Sequence, residues 1–324
     1  MNAKIAVIIP HYQRKPGVLA RTLAAVFAQE DAPPFRVIIV DDESPAPAAA
    51  ELGELDDAAR AAIQIVPRKN GGPAAAKNTG LATMPPEVEF VALLDCDDIW
   101  HPRHLARGMA AMDQGCDLFF GDHRREQTQA THFSVFGMDP REHVPLEGTP
   151  ALYRWSTNLF DTCLRIPTIA LSTTIFRRAR YPDLKFAEDV GLADDYWFAI
   201  EVTNPPPVAA VSFLEEALYT VADNVSVIPD WRSNKSLRVI LAIALCYVKL
   251  LKIYPLSGEN LDYVRQRLRE ARTNFAVTAL SLLYRERSVE WSYVGQFMRA
   301  DPALAGAFAG ALFRAIPKLF SGSR

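Results

Sequence analysis

The chain has 324 residues, of which 49% are hydrophobic and 23% charged, a composition that excludes a disordered or fibrous protein. Its formal net charge of -3 at pH 7 excludes a broad basic surface, so we expect no nucleic-acid partner. The cysteines, four in number and without a CxxC pair, predict neither a zinc site nor a disulfide framework and suit a reducing cytoplasm.

Strands alternate with helices from residue 4 to about residue 120. Continuous apolar runs at 4–9, 35–40, 63–66 and 89–94 are rich in β-branched residues, as in strands that are buried on both faces. A helical pattern begins at about Pro16, and an Ala-rich one follows the next Gly-Gly-Pro turn. This alternation predicts an α/β fold with a mostly parallel central sheet flanked by helices.

The second half of the chain is less regular. We predict a long polar loop over 123–150, a strand at 168–178 and another strand at 208–214. Beyond about residue 231 all patterns are helical, so we predict a first domain over 1–230 and a helical C-terminal region over 231–324. The most apolar stretch there is about half the length that spans a bilayer, and no transmembrane helix is predicted.

Three carboxylates follow the fourth predicted strand within four residues, in the stretch "EFVALLDCDDIWHP". They belong to Asp95, Asp97 and Asp98, and side by side they repel one another unless a cation lies between them. Mg²⁺ and Mn²⁺ prefer such oxygen ligands, so the cluster predicts a divalent-cation site. The alternative is that Asp98 caps the next helix, near Pro102, and that Asp95 is solvated.

Other polar side chains follow neighbouring strands. Asp41 and Asp42 end the second strand, where a carboxylate accepts hydrogen bonds from a base or a ribose, although a turn with an Asp cap explains them equally well. The segment "NGGPAAAKNTG" brings a Gly-rich backbone and Lys77 to the same edge, which suits a phosphate. Its spacing matches neither a dinucleotide fingerprint nor a P-loop.

Asp194 and Asp195 precede an amphipathic run and therefore lie at a predicted helix N-terminus. They serve there either as simple caps or as a functional pair, in which one carboxylate is a general base.

Histidines near these segments carry weaker signals. His101 and His104 lie three residues apart on the helix after the acidic cluster, and we expect a solvated face there rather than metal ligands. His123 follows a predicted strand end, where it is a candidate contact for a phosphate or an acceptor.

Five of these segments, in this order and spacing, resemble the family-2 inverting nucleotide-sugar glycosyltransferases with the GT-A fold. The resemblance covers about residues 3–225. The segments are "AVIIPHYQRKPGVLARTLAAVFAQ", "VIIVDDES", "NGGPAAAKNTGL", "VALLDCDDIWHPRHL" and "LADDYWFAIEV".

The resemblance implies a nucleotide-sugar-binding role for the residues near the first three segments. Pro10 and Tyr12 would pack against the base, and Asp41, of the pair with Asp42, would read the uracil. Lys77 occupies the position where the family usually has Arg, which replaces a bidentate fork by a point charge.

The resemblance also implies a metal and a catalytic base. Asp97 would be the main ligand of Mn²⁺ or Mg²⁺, with Asp95 and Asp98 supporting the ribose and the metal. Asp195 would be the base in the pair with Asp194, and this pair has Asp where the family has Glu at the first position.

The implied activity is metal-dependent, inverting transfer of a hexosyl-type group from a nucleotide-sugar, with UDP favoured, to a saccharide or lipid-linked saccharide. Such an enzyme would act in surface polysaccharide or glycolipid assembly. The 123–150 loop, with the strand "IPTIALSTTIF" at 166–176, is a candidate wall of the acceptor site. Two alternatives remain: a non-catalytic nucleotide-sugar-binding subunit, and a nucleotidyltransferase, for which the Gly-rich basic loop after the first strand is missing.

The C-terminal region lies outside the resemblance. We expect a lid or a homo-oligomer interface there. The alternative is peripheral contact with the inner face of a membrane, because "AFAGALFRAIPKLF" is apolar on one side and carries Arg314 and Lys318 to meet acidic lipid.

Overall fold

The structure is a computed structural model that describes residues 3–53, 55–220, 233–285 and 288–320, with side chains described up to residue 313. The chain divides into two compact units. The first unit comprises Met1–Glu188 and Phe198–Asn224, and the second comprises Asp189–Trp197 and Val225–Arg324. The predicted domain boundary near residue 230 lies outside the described residues and stays a prediction.

In its described part, the first unit has ten strands that join in one sheet. The strands are β1 (Ile5–His11), β2 (Phe35–Asp41), β3 (Ile63–Pro67), β4 (Phe90–Leu93), β5 (Ile99–Trp100), β6 (Leu118–Arg125), β7 (Val144–Pro145), β8 (Leu152–Arg154), β9 (Ile175–Arg177) and β10 (Ala209–Tyr219). Their order is β3-β2-β1-β4-β9-β6-β10-β8-β7, and β5 pairs with β10.

Strand directions place the ends of six strands at one edge of this sheet. β1 to β4 are parallel, and β6 is parallel to β10. β9 is antiparallel to both β4 and β6, so these two strands run the same way. We call the side where β1, β2, β3, β4, β6 and β10 end the carboxyl edge. The predicted, mostly parallel central sheet is confirmed.

Helices cover the sheet, as the hydrophobic patterns predict. Those of the first unit are α1 (Val18–Phe27), α2 (Asp57–Ala61), α3 (Pro73–Thr83), α4 (His104–Asp113), α5 (His132–Val135) and α6 (Leu159–Arg165), and α7 (Asp194–Val202) has residues in both units. Leu19 and Leu23 of α1 are fully buried in one core with Val7 and Ile9 of β1. A Cβ atom on Gly80 of α3 would lie 2.5 Å from Ile8 Cγ2, so this position requires glycine for close helix–strand packing.

Two predicted segments differ from the structure. The strand predicted at 168–178 is a 3₁₀-helix at Leu171–Thr173 followed by the short β9. There Thr173 Oγ1 donates to Gly121 O and Thr174 Oγ1 donates to Ala170 O, and such side-chain bonds compete with a regular ladder. The predicted loop at 123–150 contains the end of β6, all of α5 and β7, and a 3₁₀-helix at Pro140–Glu142.

The second unit is helical in its described residues. Its helices are α8 (Asn234–Ile253), α9 (Gly258–Tyr284), α10 (Trp291–Ala300) and α11 (Leu304–Phe320). Phe275 of α9 and Phe297 of α10 pack edge to face with ring centroids 5.1 Å apart, so α10, which the sequence analysis missed, belongs to this core. None of the helices in the described ranges combines the length and the apolarity that crossing a membrane requires.

Candidate functional site

The acidic motif forms a tight turn at the carboxyl edge, directly after β4. All four residues of β4 are buried, and the amide of Asp98 then donates to Asp95 O at 3.1 Å. Asp95 and Asp97 are half-buried, whereas Asp98 is buried. The three carboxylates that the sequence places after this strand are therefore held in one turn.

Ser172 ties this turn to the segment before β9. Its hydroxyl donates to Asp98 Oδ2 at 2.6 Å and accepts from the amide of Asp95 at 3.1 Å. Its carbonyl accepts from Trp100 Nε1 at 2.5 Å. The alternative that Asp98 caps the next helix is wrong, because β5 follows it and α4 begins only at His104. Sequence reasoning missed Ser172, which is fully buried in a segment predicted to be a plain strand.

The electrostatics of the turn suit a cation. Burial raises the pKa of Asp98 well above its usual range, and the charges of Asp95 and Asp97 raise it further, against hydrogen bonds from Ser172 and from the amide of Thr220 that lower it. A carboxyl group whose ionisation is opposed by neighbouring carboxylates marks a place where positive charge is favourable.

The oxygen donors also fit Mg²⁺ or Mn²⁺. Asp97 offers a half-buried carboxylate and Asp98 a buried one as hard oxygen ligands. Among the described residues no three His, Cys, Asp or Glu side chains converge as a complete metal cage. Mg²⁺ is usually held by one or two carboxylates together with substrate phosphates, which is the arrangement that this turn can offer.

Asp42, at the end of β2, holds the loop that leads to α3. Its buried carboxylate accepts from Arg68 Nη1 at 2.5 Å, from the amide of Gly71 at 3.0 Å and from the amide of Gly72 at 2.8 Å. These amides are the Gly-rich backbone that the sequence analysis assigned to a phosphate. In the structure they bind Asp42 instead, so the loop gets its shape from this carboxylate.

The ends of β1 and β2 meet at the same edge, since His11 is in register with Asp41. The carboxylate of Asp41 accepts from the amides of Ser44 at 2.9 Å and Ala48 at 2.8 Å. These bonds match the alternative of a turn capped by Asp. Pro10 is half-buried and Tyr12 is 39% exposed beside it. The structure thus brings these predicted base-binding residues together.

Lys77 lies in α3 with its side chain buried. Its Nζ is 5.0 Å from the centroid of the Phe186 ring, a distance at which the ring face attracts a cation. Its predicted role toward a phosphate stays a prediction.

His104 is fully buried, which contradicts the expectation of a solvated face. Its Nδ1 lies 3.1 Å from Glu216 Oε2, and Arg107 donates to both oxygens of that carboxylate. Burial lowers the pKa of His104. The expectation was wrong because the face of α4 that carries His104 packs against β10. His101 instead is partly exposed and pairs with Glu215 at 3.0 Å.

Asp194 and Asp195 form the first turn of α7, which confirms the predicted helix start. Asp194 is buried and Asp195 is exposed. Both belong to the second unit, and the general-base role of this pair stays a prediction.

Comparison with known proteins adds the family. The family model described as "Glycosyl transferase family 2" matches residues 6–178, which is more than half of the chain. The "Succinoglycan biosynthesis protein ExoW" of Rhizobium meliloti (strain 1021) is 42% identical over 195 residues. That match covers 59% of this chain and 60% of the relative, so the chain spans less than two thirds of that relative's length.

Solved structures share the fold. S. aureus TarS 1-349 in complex with UDP-GlcNAc has a TM-score of 0.61 at 19% identity, covering 94% of this chain and 81% of that one. The mannosyltransferase PcManGT from Pyrobaculum calidifontis, in complex with GDP-Man and Mn2+, has a TM-score of 0.55 at 17% identity, covering 99% of this chain and 88% of that one. The turn after β4, the β1–β2 edge and the family match lead to one conclusion: the chain belongs to glycosyl transferase family 2.

Proposed function

We propose that this protein transfers a sugar from a nucleotide-sugar, most simply a UDP-sugar, to a hydroxyl acceptor with inversion of configuration. The observation that carries the proposal is the carboxylate turn after β4 beside the β1–β2 edge, in a chain of glycosyl transferase family 2. We place this chemistry in the predicted 1–230 domain.

The role that we assign to each residue follows from its place at the carboxyl edge. Pro10, Tyr12 and Asp41 bind the base and the ribose at the β1–β2 edge, with Asp42 and Lys77 shaping the loop and the α3 face beside it. Asp95 supports the ribose, Asp97 lies toward the diphosphate with the cation between them, and Asp98 also holds the turn through Ser172. A divalent cation held by Asp97 with Asp98 would neutralise the charge that develops on the departing nucleoside diphosphate.

Asp195 completes the reaction as general base. It takes the proton of the acceptor hydroxyl while that oxygen attacks the anomeric carbon from the side opposite the diphosphate, which inverts the configuration. Its exposure at the start of α7 supports a group that must reach a substrate, whereas the buried Asp194 is suited to hold the helix start.

The base assignment is tested by Asp195→Asn, with Asp194→Asn as the matched neighbour. We expect Asp195→Asn to keep nucleotide binding and to lose at least about a hundredfold in transfer, since a general base contributes about 10²–10⁴-fold. The assay measures UDP release and sugar transfer from UDP-GlcNAc, UDP-glucose and UDP-galactose to saccharide acceptors. Transfer near the wild-type rate in Asp195→Asn would show that Asp195 is not the general base. Nucleotide binding without transfer in the wild type would favour a non-catalytic subunit.

We place the activity in the assembly of a surface polysaccharide or glycolipid. The similarity to the "Succinoglycan biosynthesis protein ExoW" supports this placement.

For the C-terminal region, 231–324, we propose a lid or a homo-oligomer interface, with peripheral contact with an acidic membrane surface as the alternative. The membrane contact would use the stretch "AFAGALFRAIPKLF", in which the side chains of Arg314 and Lys318 lie outside the described ones. Flotation with vesicles of acidic and of neutral lipid separates the two. No flotation with either lipid is the expected result, and binding to acidic vesicles alone would favour the membrane contact.

A further inference from the structure

Thr220, the residue that follows β10, contacts the acidic turn at two points. Its hydroxyl Oγ1 donates to Asp97 O at 2.5 Å, and its amide donates to the carboxylate of Asp98. Thr220 is itself buried. One residue at the end of β10 therefore holds both the backbone of Asp97 and the side chain of Asp98, the two residues that we assign to the cation.

Arg21 of α1 sets the direction of this hydroxyl group. Its Nη2 donates to Thr220 Oγ1 at 2.8 Å. A hydroxyl has a single proton to donate, and because the guanidinium donates to the oxygen, that proton is directed to the carbonyl of Asp97. Successive hydrogen bonds polarise one another, so the positive charge of Arg21 strengthens the bond from Thr220 to Asp97 O.

The same helix holds the turn at the neighbouring residue. Thr22 is fully buried, and its Oγ1 donates to Cys96 O at 2.9 Å. The carbonyl of Asp95 accepts from the amide of Asp98. Three successive carbonyls of the turn thus have donors from three places: the turn itself, α1 and the end of β10. The backbone that carries the Asp97 and Asp98 side chains is therefore fixed by the surrounding protein.

Fixing this backbone favours the binding of a cation. Carboxylates that are already held in place lose less conformational freedom when they bind a ligand. Hydrogen-bond partners that orient metal ligands are worth about 10–100-fold in metal affinity. A residue can therefore matter for the cation without touching it.

We propose that Thr220, supported by Arg21, is a positioning residue for the divalent cation, acting through Asp97 and Asp98 and not as a ligand. This inference rests on the proposed function and adds to it the residues that prepare the cation site. Since the proposed base-binding residues lie at the β1–β2 edge, the Thr220 hydroxyl governs only the part of the nucleotide affinity that depends on the cation.

Calorimetric titration of the full chain with UDP, with and without Mn²⁺, tests the proposal. Thr220→Val keeps the shape of the side chain and removes the hydroxyl. We expect it to lower the UDP affinity about 10–100-fold with Mn²⁺ and to leave the affinity without Mn²⁺ unchanged. Thr220→Ser keeps the hydroxyl and should keep the wild-type affinity. Arg21→Met, at an exposed position, should lower the affinity about two- to tenfold with Mn²⁺ only.

Thr203→Val is the matched control, because Thr203 is also buried and its hydroxyl also donates to a backbone carbonyl, Ala199 O, at 2.7 Å. It should leave the UDP affinity unchanged in both conditions. If Thr220→Val does not fold, Arg21→Met decides the question by the same comparison.

Two outcomes would overturn the proposal and leave the proposed function intact. One is an unchanged UDP affinity with Mn²⁺ in both Thr220→Val and Arg21→Met, and the other is a loss of equal size with and without Mn²⁺. A wild-type UDP affinity that Mn²⁺ does not raise would contradict the cation site itself, and the inference would fall with it.

Discussion

At the scale of single residues, Ser172 decides how the acidic turn is held. Its hydroxyl donates a hydrogen bond to the buried Asp98 and accepts one from the amide of Asp95. We expect Ser172→Ala to lower the free energy of unfolding by about 1–3 kcal/mol, because a buried acceptor loses its donor. Urea denaturation at pH 7 measures this change.

Ser134→Ala is the control for this substitution. Ser134 is an exposed serine whose hydroxyl donates to Thr131 O, and we expect a change within about 0.5 kcal/mol. Equal urea midpoints for Ser172→Ala and the wild type would mean that Asp98 is held by other contacts.

His123 couples folding to pH. Its pKa is lowered by burial to about 3 from an ordinary value of 6.5, so the unfolded chain binds this proton at higher pH than the folded one. Its contribution is complete above pH 6.5 and is lost as the pH falls from there toward 3. We expect His123→Phe to reduce the slope of unfolding free energy against pH in this window by about 1 kcal/mol per pH unit.

Urea denaturation at several pH values checks this slope, with His101→Asn as a surface control. An unchanged slope in His123→Phe would show that folding does not lower the pKa of this imidazole.

The sequence predicts the acidic turn, but it does not predict the residues that hold the carboxylates in place. An apolar strand that stops on Asp95, Asp97 and Asp98 is visible as a pattern, since strand and carboxylates are neighbours in the chain. Ser172 and Arg68 lie far along the chain from the carboxylates that they bind. Their roles depend on how β9 and the loop after β3 return to the carboxyl edge, which no local pattern encodes.

At the scale of elements, α4 is fastened to β10 by a buried cluster. Glu216 is fully buried and accepts from Arg107 at 2.6 and 2.8 Å, with His104 at 3.1 Å. Burial raises the pKa of Glu216, but the bonds from His104 and Arg107 outweigh it and keep the pKa below its usual value. The cluster is therefore charged at neutral pH and costly to break.

We expect Glu216→Gln to destabilise the protein by about 3–5 kcal/mol, because it leaves a partly buried guanidinium without its charge partner. Glu215→Gln, one residue away in a half-exposed pair with Arg124 and His101, should cost no more than about 1 kcal/mol. Thermal and urea unfolding of the two variants measure the difference. Equal effects would show that burial does not set the strength of this cluster.

Elements with strong local signals were predicted, and those that depend on distant partners were not. β1, β2 and β3 follow from continuous apolar runs, and α8 and α9 follow from helical periodicity. The segment at 168–178 has the β-branched residues of a strand, yet its hydroxyls bind nearby backbone carbonyls and shorten the ladder to β9. α10 was missed because it buries little besides Phe297.

At the scale of the whole molecule, the sheet order explains why one edge collects the chemistry. Parallel strands end on the same side, and ligands of open α/β sheets bind there. β4 is flanked by β1 and β2 on one side and by β9, β6 and β10 on the other. The carboxylates of the β4 turn therefore lie between the ends of β1 and β2 and the ends of β6 and β10.

The central claim is that this turn binds a nucleoside diphosphate with a divalent cation. Thermal unfolding of the full chain with UDP, GDP, CDP and TDP, each with and without Mn²⁺, tests it directly. A ligand at about a hundred times its dissociation constant adds about 2.7 kcal/mol of stability. We predict stabilisation by UDP with Mn²⁺ that Asp97→Ala abolishes; stabilisation by none of these nucleotides, or an equal effect in Asp97→Ala, would contradict the account.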